Sequence, residues 1–186
     1  MLDSFLRKRW KPREAAAISF ALRVVLAYGV WRLAYYYLET NLPPFWTEIQ
    51  GWAASKIVSG AAGILRYFGE DVTFNSRNVI IRGSDGIFVA DHCIGTPAWV
   101  VFSMFIILYA GKWYHKAWYI PFGAICIYAM NSARTAALAY LLRYHSTAYF
   151  EFSHRYIYTF TIYFLIFLLI VLWMEKISNW GRKVSG

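Results

Sequence analysis

The chain has 186 residues, of which 59% are hydrophobic, 20% are aromatic and only 16% are charged. Soluble globular domains are roughly half apolar and about a quarter charged, so this composition excludes an ordinary soluble domain and favours a protein that crosses a lipid bilayer. The formal net charge of +9 does not indicate a nucleic-acid partner, because the Lys and Arg residues gather at the ends of apolar segments and not beside a recognisable nucleic-acid-binding motif.

The first apolar segment, residues 15–38, follows a basic N-terminal stretch, residues 1–14, and is long enough to cross a hydrocarbon core of roughly 30 Å. It carries Arg23 and Arg32. Because a charge that faces lipid costs free energy, we expect both side chains to face other helices, water or headgroups. No small-residue cleavage pattern follows this segment, so the sequence predicts a retained span and not a cleaved signal peptide.

The next two segments are predicted to lie outside the bilayer core. Residues 49–68 are rich in Ala and Gly but include Lys56 and Arg66, and a span there would reverse the orientation of its neighbours. We therefore predict a helix at the outer interface. Residues 71–92 hold short runs of branched and aromatic residues separated by Gly and Asp, and this pattern predicts a small β-hairpin that caps the outer face.

Three more apolar segments follow, residues 96–111, 117–133 and 156–175, and each is predicted to be a transmembrane helix. The first two would form a helical hairpin, because only a short basic loop with Lys112 and Lys116 separates them. Together with the first segment they make about four spans. The predicted fold is thus an all-α integral membrane protein, a single membrane domain with an interfacial helix and a small extracytoplasmic hairpin cap.

The orientation follows from the basic residues, which cluster in the N-terminal stretch, in the 112–116 loop and at the C-terminus. The positive-inside rule places all three clusters in the cytoplasm. Residues 39–95 and 132–155 then face outward. We expect a multi-pass protein of the cytoplasmic (inner) membrane whose chemistry takes place on the outer side.

The chain has two cysteines, Cys93 and Cys126. Cys93 precedes a predicted helix that Thr96 could cap and Pro97 could begin. A helix N-terminus carries a partial positive charge, which stabilises a thiolate, and the thiolate is the nucleophilic form of cysteine. Cys126 fits a small buried apolar residue. The sequence alone leaves a disulfide between the two cysteines open.

Two polar residues, Asn131 and Arg134, lie near the outer end of the third predicted span. They are three positions apart, so they share one face of a helix. An ionisable residue within an apolar passage is a functional-site candidate, and this pair could bind a carboxylate or a developing oxyanion. The structural alternative is an ion pair between Arg134 and either Asp91 or Glu151.

His154 lies just before the last predicted span, on the outer side. An unperturbed imidazole has a pKa of about 6.5, which lets it accept and return protons during catalysis. Taken alone, a histidine at a membrane boundary is more often an interfacial polar residue. His92, which is adjacent to Cys93, is an alternative base.

The order of these elements resembles the exosortase and archaeosortase family of membrane transpeptidase-like enzymes. A Cys-x-Gly element opens one span, an Asn-x-x-Arg element ends the next, and a His precedes the last. The matching residues are Cys93 with Gly95, Asn131 with Arg134, and His154. The resemblance covers residues 93–173.

Three features of this chain differ from the family pattern. Ile94 follows the cysteine, where the family commonly has a small residue such as Ser, and the Thr96-Pro97 pair after Gly95 is unusual for the family. The chain also lacks the extra spans of larger family members.

The resemblance implies a cysteine peptidase or transpeptidase that cleaves a C-terminal sorting signal of exported proteins, made of a short motif, a transmembrane helix and a basic tail. Cys93 would be the nucleophile, Arg134 would stabilise the oxyanion or orient the substrate, and His154 would transfer protons. Three further residues are expected to bind substrate or support catalysis: Asn131, Gly95 and His92. The thioester would pass to water or to a lipid or glycan acceptor. No metal, other cofactor or nucleic acid is expected.

Two other functions fit parts of the sequence. A non-enzymatic membrane protein for transport or assembly could use Arg134, Glu151 and His154 as a proton or ion relay, which requires no thiol. An enzyme acting on a lipid or polyprenyl phosphate could bind the phosphate through Arg134 and Arg155. Such enzymes usually hold a metal between several carboxylates, and Asp91 and Glu151 are few for that purpose.

Overall fold

The computed structural model describes residues 12–109, 111–145 and 147–178, and the side chains of His92 and His154 lie outside the described part. The basic stretches at the two ends of the chain, used above for orientation, also lie largely outside it. The helices are α1 (Pro12–Asn41), α2 (Pro44–Tyr67), α3 (Thr96–Leu108), α4 (Trp113–Tyr144), α5 (Thr147–Phe152) and α6 (Tyr158–Leu172). The strands are β1 (Val72–Phe74), β2 (Asn78–Ile81) and β3 (Ile87–Phe88).

Three helical segments of the described chain are long and apolar enough to cross a membrane: Ile18–Asn41, Trp113–Tyr144 and Thr159–Ile177. Three of the four predicted spans therefore have a matching helix of sufficient length. The fourth, residues 96–111, is helical only over the 13 residues of α3. At 1.5 Å per residue this helix is about 20 Å long, which is less than the roughly 30 Å hydrocarbon core.

Helix α4 is continuous over 32 residues, so the predicted span 117–133 and the polar passage after it form one helix. Pro121 lies inside it, as transmembrane helices tolerate. Lys116, expected in an exposed loop, is instead only 7% exposed. Its Nζ donates hydrogen bonds of 2.7 Å to the carbonyl oxygens of Ile107 and Tyr109. The ammonium thereby caps carbonyls at the end of α3 that no helical N–H can reach.

The predicted hairpin cap is a three-stranded antiparallel sheet in the order β1-β2-β3. Val72 pairs with Ile81 across the first ladder, and Val79 pairs with Ile87 across the second. Val72, Val79 and Ile81 are buried, because alternate residues of a strand face the same side. Each strand-like stretch of the predicted cap contains a strand, so the cap is a three-stranded sheet and not a simple two-stranded hairpin.

Helix α2 begins five residues before the predicted interfacial helix 49–68 and packs closely on α4. A Cβ atom built on Gly60 would lie 2.6 Å from Ser132 Oγ, and the Tyr128 hydroxyl donates a 3.0 Å hydrogen bond to the carbonyl of Lys56. Small residues allow two helix backbones to approach this closely. α2 is not among the helices of the described chain that are apolar enough to span, and its location at the outer interface stays a prediction.

Two groups of buried apolar residues hold the fold together. The first joins α2, the sheet, Ile94 and the C-terminal half of α4, and Cys93 packs against its edge. The second joins α3, α4 and α6, with Phe102, Tyr119 and Trp173 fully buried. Many large apolar side chains of α1 and α6 are exposed, as expected for helices that face lipid. Cys93 therefore lies where the cap meets the helical bundle.

Candidate active site

Cys93 ends a short 3-10 turn, Asp91–Cys93, that links the cap to α3. Its backbone N–H donates to the carbonyl of Ala90 at 2.8 Å. Two residues later, Gly95 adopts a left-handed conformation with φ 84° and is the N-cap of α3. The prediction that Thr96 would cap this helix was wrong: Thr96 is its first residue, and the left-handed turn at Gly95 starts the helix without a side-chain cap. The thiol therefore precedes a helix N-terminus, as expected.

Asn131 connects α4 to this turn. Its Nδ2 donates a 3.0 Å hydrogen bond to the carbonyl oxygen of Ile94, and the residue is 1% exposed. A Cβ atom on Gly95 would collide with the same amide nitrogen, so Asn131 requires glycine at this position. The Asn131 amide therefore supports the backbone of the turn that carries Cys93. Its Oδ1 is a buried acceptor that has no hydrogen-bond partner in the described part of the chain.

Cys93 and Arg134 line the same cavity, which has a volume of about 260 Å³. Strand β3 and Val89 form one wall, α4 forms another through Arg134, Thr135 and Leu138, and Phe150 of α5 contributes a third. The residues are brought together because α4 passes both the turn at Ile94 and the sheet. Two residues 41 positions apart in the chain thus face one space.

Arg134 is partly buried and makes no ion pair with any carboxylate in the part of the chain that the structure describes. Asp91, one of the partners considered for it, is instead paired with Arg77, whose Nη1 lies 2.6 Å from Asp91 Oδ1. Glu151, the other, is exposed. The structural alternative for Arg134 is therefore not realised, and its guanidinium is available to a ligand in the cavity.

His154 lies in a π-helical turn, Ser153–Ile157, between α5 and α6. Such turns are uncommon and often occur at functional sites. The position of its imidazole, and that of His92, lies outside what the structure describes. The backbone places His154 four residues after Phe150, which lines the cavity.

Cys93 and Cys126 are not joined, so the disulfide left open by the sequence is not formed. Cys126 is partly buried and packs against the second apolar group, near Tyr119 and Ile127. No group of three or more His, Cys, Asp or Glu residues in residues 12–109, 111–145 and 147–178 is placed to hold a metal ion.

Sequence reasoning missed Arg77. The residue follows an Asn-Ser pair in the cap, and nothing in its local sequence distinguishes it from the other surface arginines. Its partner is 14 positions away, so only the folded sheet brings the two together.

A protein-family model described as transmembrane exosortase matches residues 14–173. The chain belongs to the transmembrane exosortase family. The match extends the resemblance seen from Cys93 onward to the N-terminal half of this exosortase, and it agrees with a multi-pass protein whose helices cross a membrane. No curated protein and no solved structure shows significant similarity to the chain.

Proposed function

We propose that this exosortase is a cysteine peptidase or transpeptidase that cleaves a C-terminal sorting signal from exported proteins through a thioester on Cys93. The observation that carries the proposal is the cavity shared by the Cys93 thiol and the Arg134 guanidinium. Membership of the exosortase family supports sorting chemistry at the membrane. Cys93, Arg134 and His154 are the proposed catalytic residues, and Asn131, Gly95 and His92 the supporting ones.

The reaction begins when His154 accepts the thiol proton of Cys93. The thiolate attacks the scissile carbonyl carbon, and the carbonyl oxygen becomes an oxyanion that the Arg134 guanidinium stabilises. The N-cap of α3, Gly95, lies two residues after Cys93, and the N-terminus of a helix carries a partial positive charge that attracts anionic groups. Collapse of the tetrahedral intermediate breaks the C–N bond, and the leaving amine takes the proton from His154.

The thioester that remains is resolved by a second nucleophile. Water gives a free carboxylate and completes a hydrolysis, whereas an amine or hydroxyl of a lipid or glycan gives a transfer product. In either case the Cys93 thiol is regenerated. The substrate is proposed to carry a short motif, one transmembrane helix and a basic tail, and the reaction to take place on the outer side of the inner membrane.

The test is processing of a co-expressed exported protein that ends in such a signal. Cys93→Ala should abolish conversion to the shorter product while the variant accumulates in the membrane as the unaltered protein does. Cys126→Ser is the matched control, because Cys126 is the other cysteine of the chain and lies outside the cavity, and it should process normally. Full processing by Cys93→Ala would refute the peptidase proposal and favour the relay function, which needs no thiol.

A further inference from the structure

Arg77 and Asp91 form the shorter of the two ion pairs in the described part of the chain, with 2.6 Å between Nη1 and Oδ1. Their side chains are 24% and 38% exposed, so the pair is partly shielded from water. The backbone of Arg77 is also held in place: its N–H donates to Asn75 Oδ1, and its carbonyl accepts a 2.8 Å hydrogen bond from Val89. The guanidinium is thus presented to Asp91 by a fixed part of the cap.

Asp91 begins the 3-10 turn that ends at Cys93. An uncompensated carboxylate two residues from the nucleophile would have two unfavourable effects. It would repel the thiolate, because two like charges in a partly buried site raise each other's free energy. It would also attract Arg134, which lines the Cys93 cavity and has no carboxylate partner in the described chain.

We propose that Arg77 is a positioning residue for this site: by binding Asp91, it keeps Arg134 available to the substrate and removes a negative charge from the surroundings of the Cys93 thiolate. The proposal rests on the proposed function, since it assigns a role in the same reaction. Arg77 does not touch the cavity and acts only through Asp91. Loss of the Arg77 side chain should therefore lower kcat only while residue 91 carries a negative charge.

This dependence distinguishes charge compensation from a purely structural tie between cap and turn. If Arg77 only held the cap in place, removing the charge of Asp91 could not repair the loss of Arg77. A second Arg–Asp pair in the same sheet region, Arg82 with Asp71, serves as the control. It is longer, at 3.2 Å, and its side chains are 85% and 66% exposed, so it should contribute little.

The first measurement is the rate of substrate processing by Arg77→Ala, Asp91→Asn, the double variant and Arg82→Ala. Arg77→Ala should lower kcat by about tenfold, as expected for one uncompensated charge in a partly shielded site. Asp91→Asn and Arg82→Ala should each change kcat by less than about threefold. The double variant should return to within about threefold of the unaltered enzyme. A double variant as slow as Arg77→Ala would overturn the proposal.

The second measurement does not depend on turnover. In a Cys126→Ser background, the alkylation rates of Cys93 are compared for a negatively charged and a positively charged methanethiosulfonate of similar size. In Arg77→Ala, the alkylation rate with the negative reagent divided by the rate with the positive reagent should fall by roughly fivefold. Arg77→Ala combined with Asp91→Asn should restore the ratio, and Arg82→Ala should leave it unchanged. An unchanged ratio in Arg77→Ala would refute charge compensation.

The two proposals fail in different ways. If Cys93→Ala still processes substrate, the proposed function is wrong, while the alkylation ratio still reports whether Arg77 compensates Asp91. If Cys93→Ala is inactive but Arg77→Ala has the kcat and the alkylation ratio of the unaltered enzyme, only the role of Arg77 is wrong.

Discussion

The Asn131 side chain donates a 3.0 Å hydrogen bond to the carbonyl oxygen of Ile94, the residue that follows Cys93. Both residues are buried. This one bond ties the middle of the long helix α4 to the turn that carries the thiol. It also explains why Asn and Arg occur three positions apart: Asn131 holds the turn, and Arg134, one helical turn further along the same face, lines the cavity beside it.

Replacing Asn131 with Ala should loosen this turn. The Ile94 carbonyl would lose its hydrogen bond in a buried site, which costs about 1–3 kcal/mol. We expect a lower melting temperature in detergent and slower processing. Asn41→Ala is the control, because Asn41 also donates to a backbone carbonyl, that of Tyr37, but at an exposed position. Equal loss of stability in the two variants would argue against a special role for the Asn131 bond.

Replacing Gly95 with Ala should lower processing by more than the strain of a left-handed backbone alone would explain. Gly95 and Gly69 have nearly the same φ, 84° and 87°, so an Ala at either site pays a left-handed strain of about 1–2 kcal/mol. Only at Gly95 would the new Cβ atom collide with the Asn131 amide, whereas Gly69 has open space. Gly95→Ala should therefore lose processing while Gly69→Ala retains it. Similar activities in the two variants would contradict this packing.

Lys116 should stabilise the fold as a helix cap. Lys116→Met keeps most of the apolar stem but leaves the carbonyls of Ile107 and Tyr109 without their donor, at a cost of about 1–3 kcal/mol. Thermal unfolding in detergent should show the loss. Lys112→Met removes the same charge from an exposed position just before α4 and should unfold as the unaltered protein does. If Lys112→Met were equally destabilised, net charge and not the cap would be responsible.

Cys93, Arg134 and His154 should behave as one unit. Each Ala variant is expected to abolish processing, and double variants should be no worse, because removing the nucleophile already removes the chemistry. Arg134→Lys should also fail or nearly fail, since an ammonium lacks the planar fork that binds two acceptors at once. Full activity in His154→Ala would exclude that residue, and His92 would then be the base to test.

Loss of Arg134→Ala protein from the membrane, in place of loss of turnover, would contradict its assignment as a catalytic residue. Membrane abundance measured on the same samples separates the two outcomes. His115→Ala is a control for histidine loss, because this residue lies in the first turn of α4, at the opposite end from Arg134 and outside the cavity.

Both ends of the chain should lie in the cytoplasm. Single cysteines introduced at Ser4 and Ser185 in a background without other cysteines should resist an impermeant maleimide in intact cells and react after the cells are opened. The basis is the positive-inside rule applied to the basic residues near both ends. Labelling of either position in intact cells would show that the predicted topology is wrong. The predicted outward orientation of the Cys93 cavity would then be wrong as well.

Composition and local pattern in the sequence determined the membrane character, the positions of most helices, the strand-forming cap and the order of the Cys, Arg and His elements. These are local properties: long apolar runs predict spans, and alternation with Gly and Asp punctuation predicts short strands. The family resemblance read from residues 93–173 was confirmed by the match over residues 14–173.

Only the tertiary structure decided which polar groups are partners. Arg77 with Asp91, Asn131 with Ile94 and Lys116 with the end of α3 are contacts between separate elements. A sequence pattern records neither a hydrogen bond across 37 positions nor the burial of a lysine near the start of a helix. The shared cavity of Cys93 and Arg134 likewise exists because the sheet and α4 pack on α2, so these two side chains are brought together by packing between distant segments.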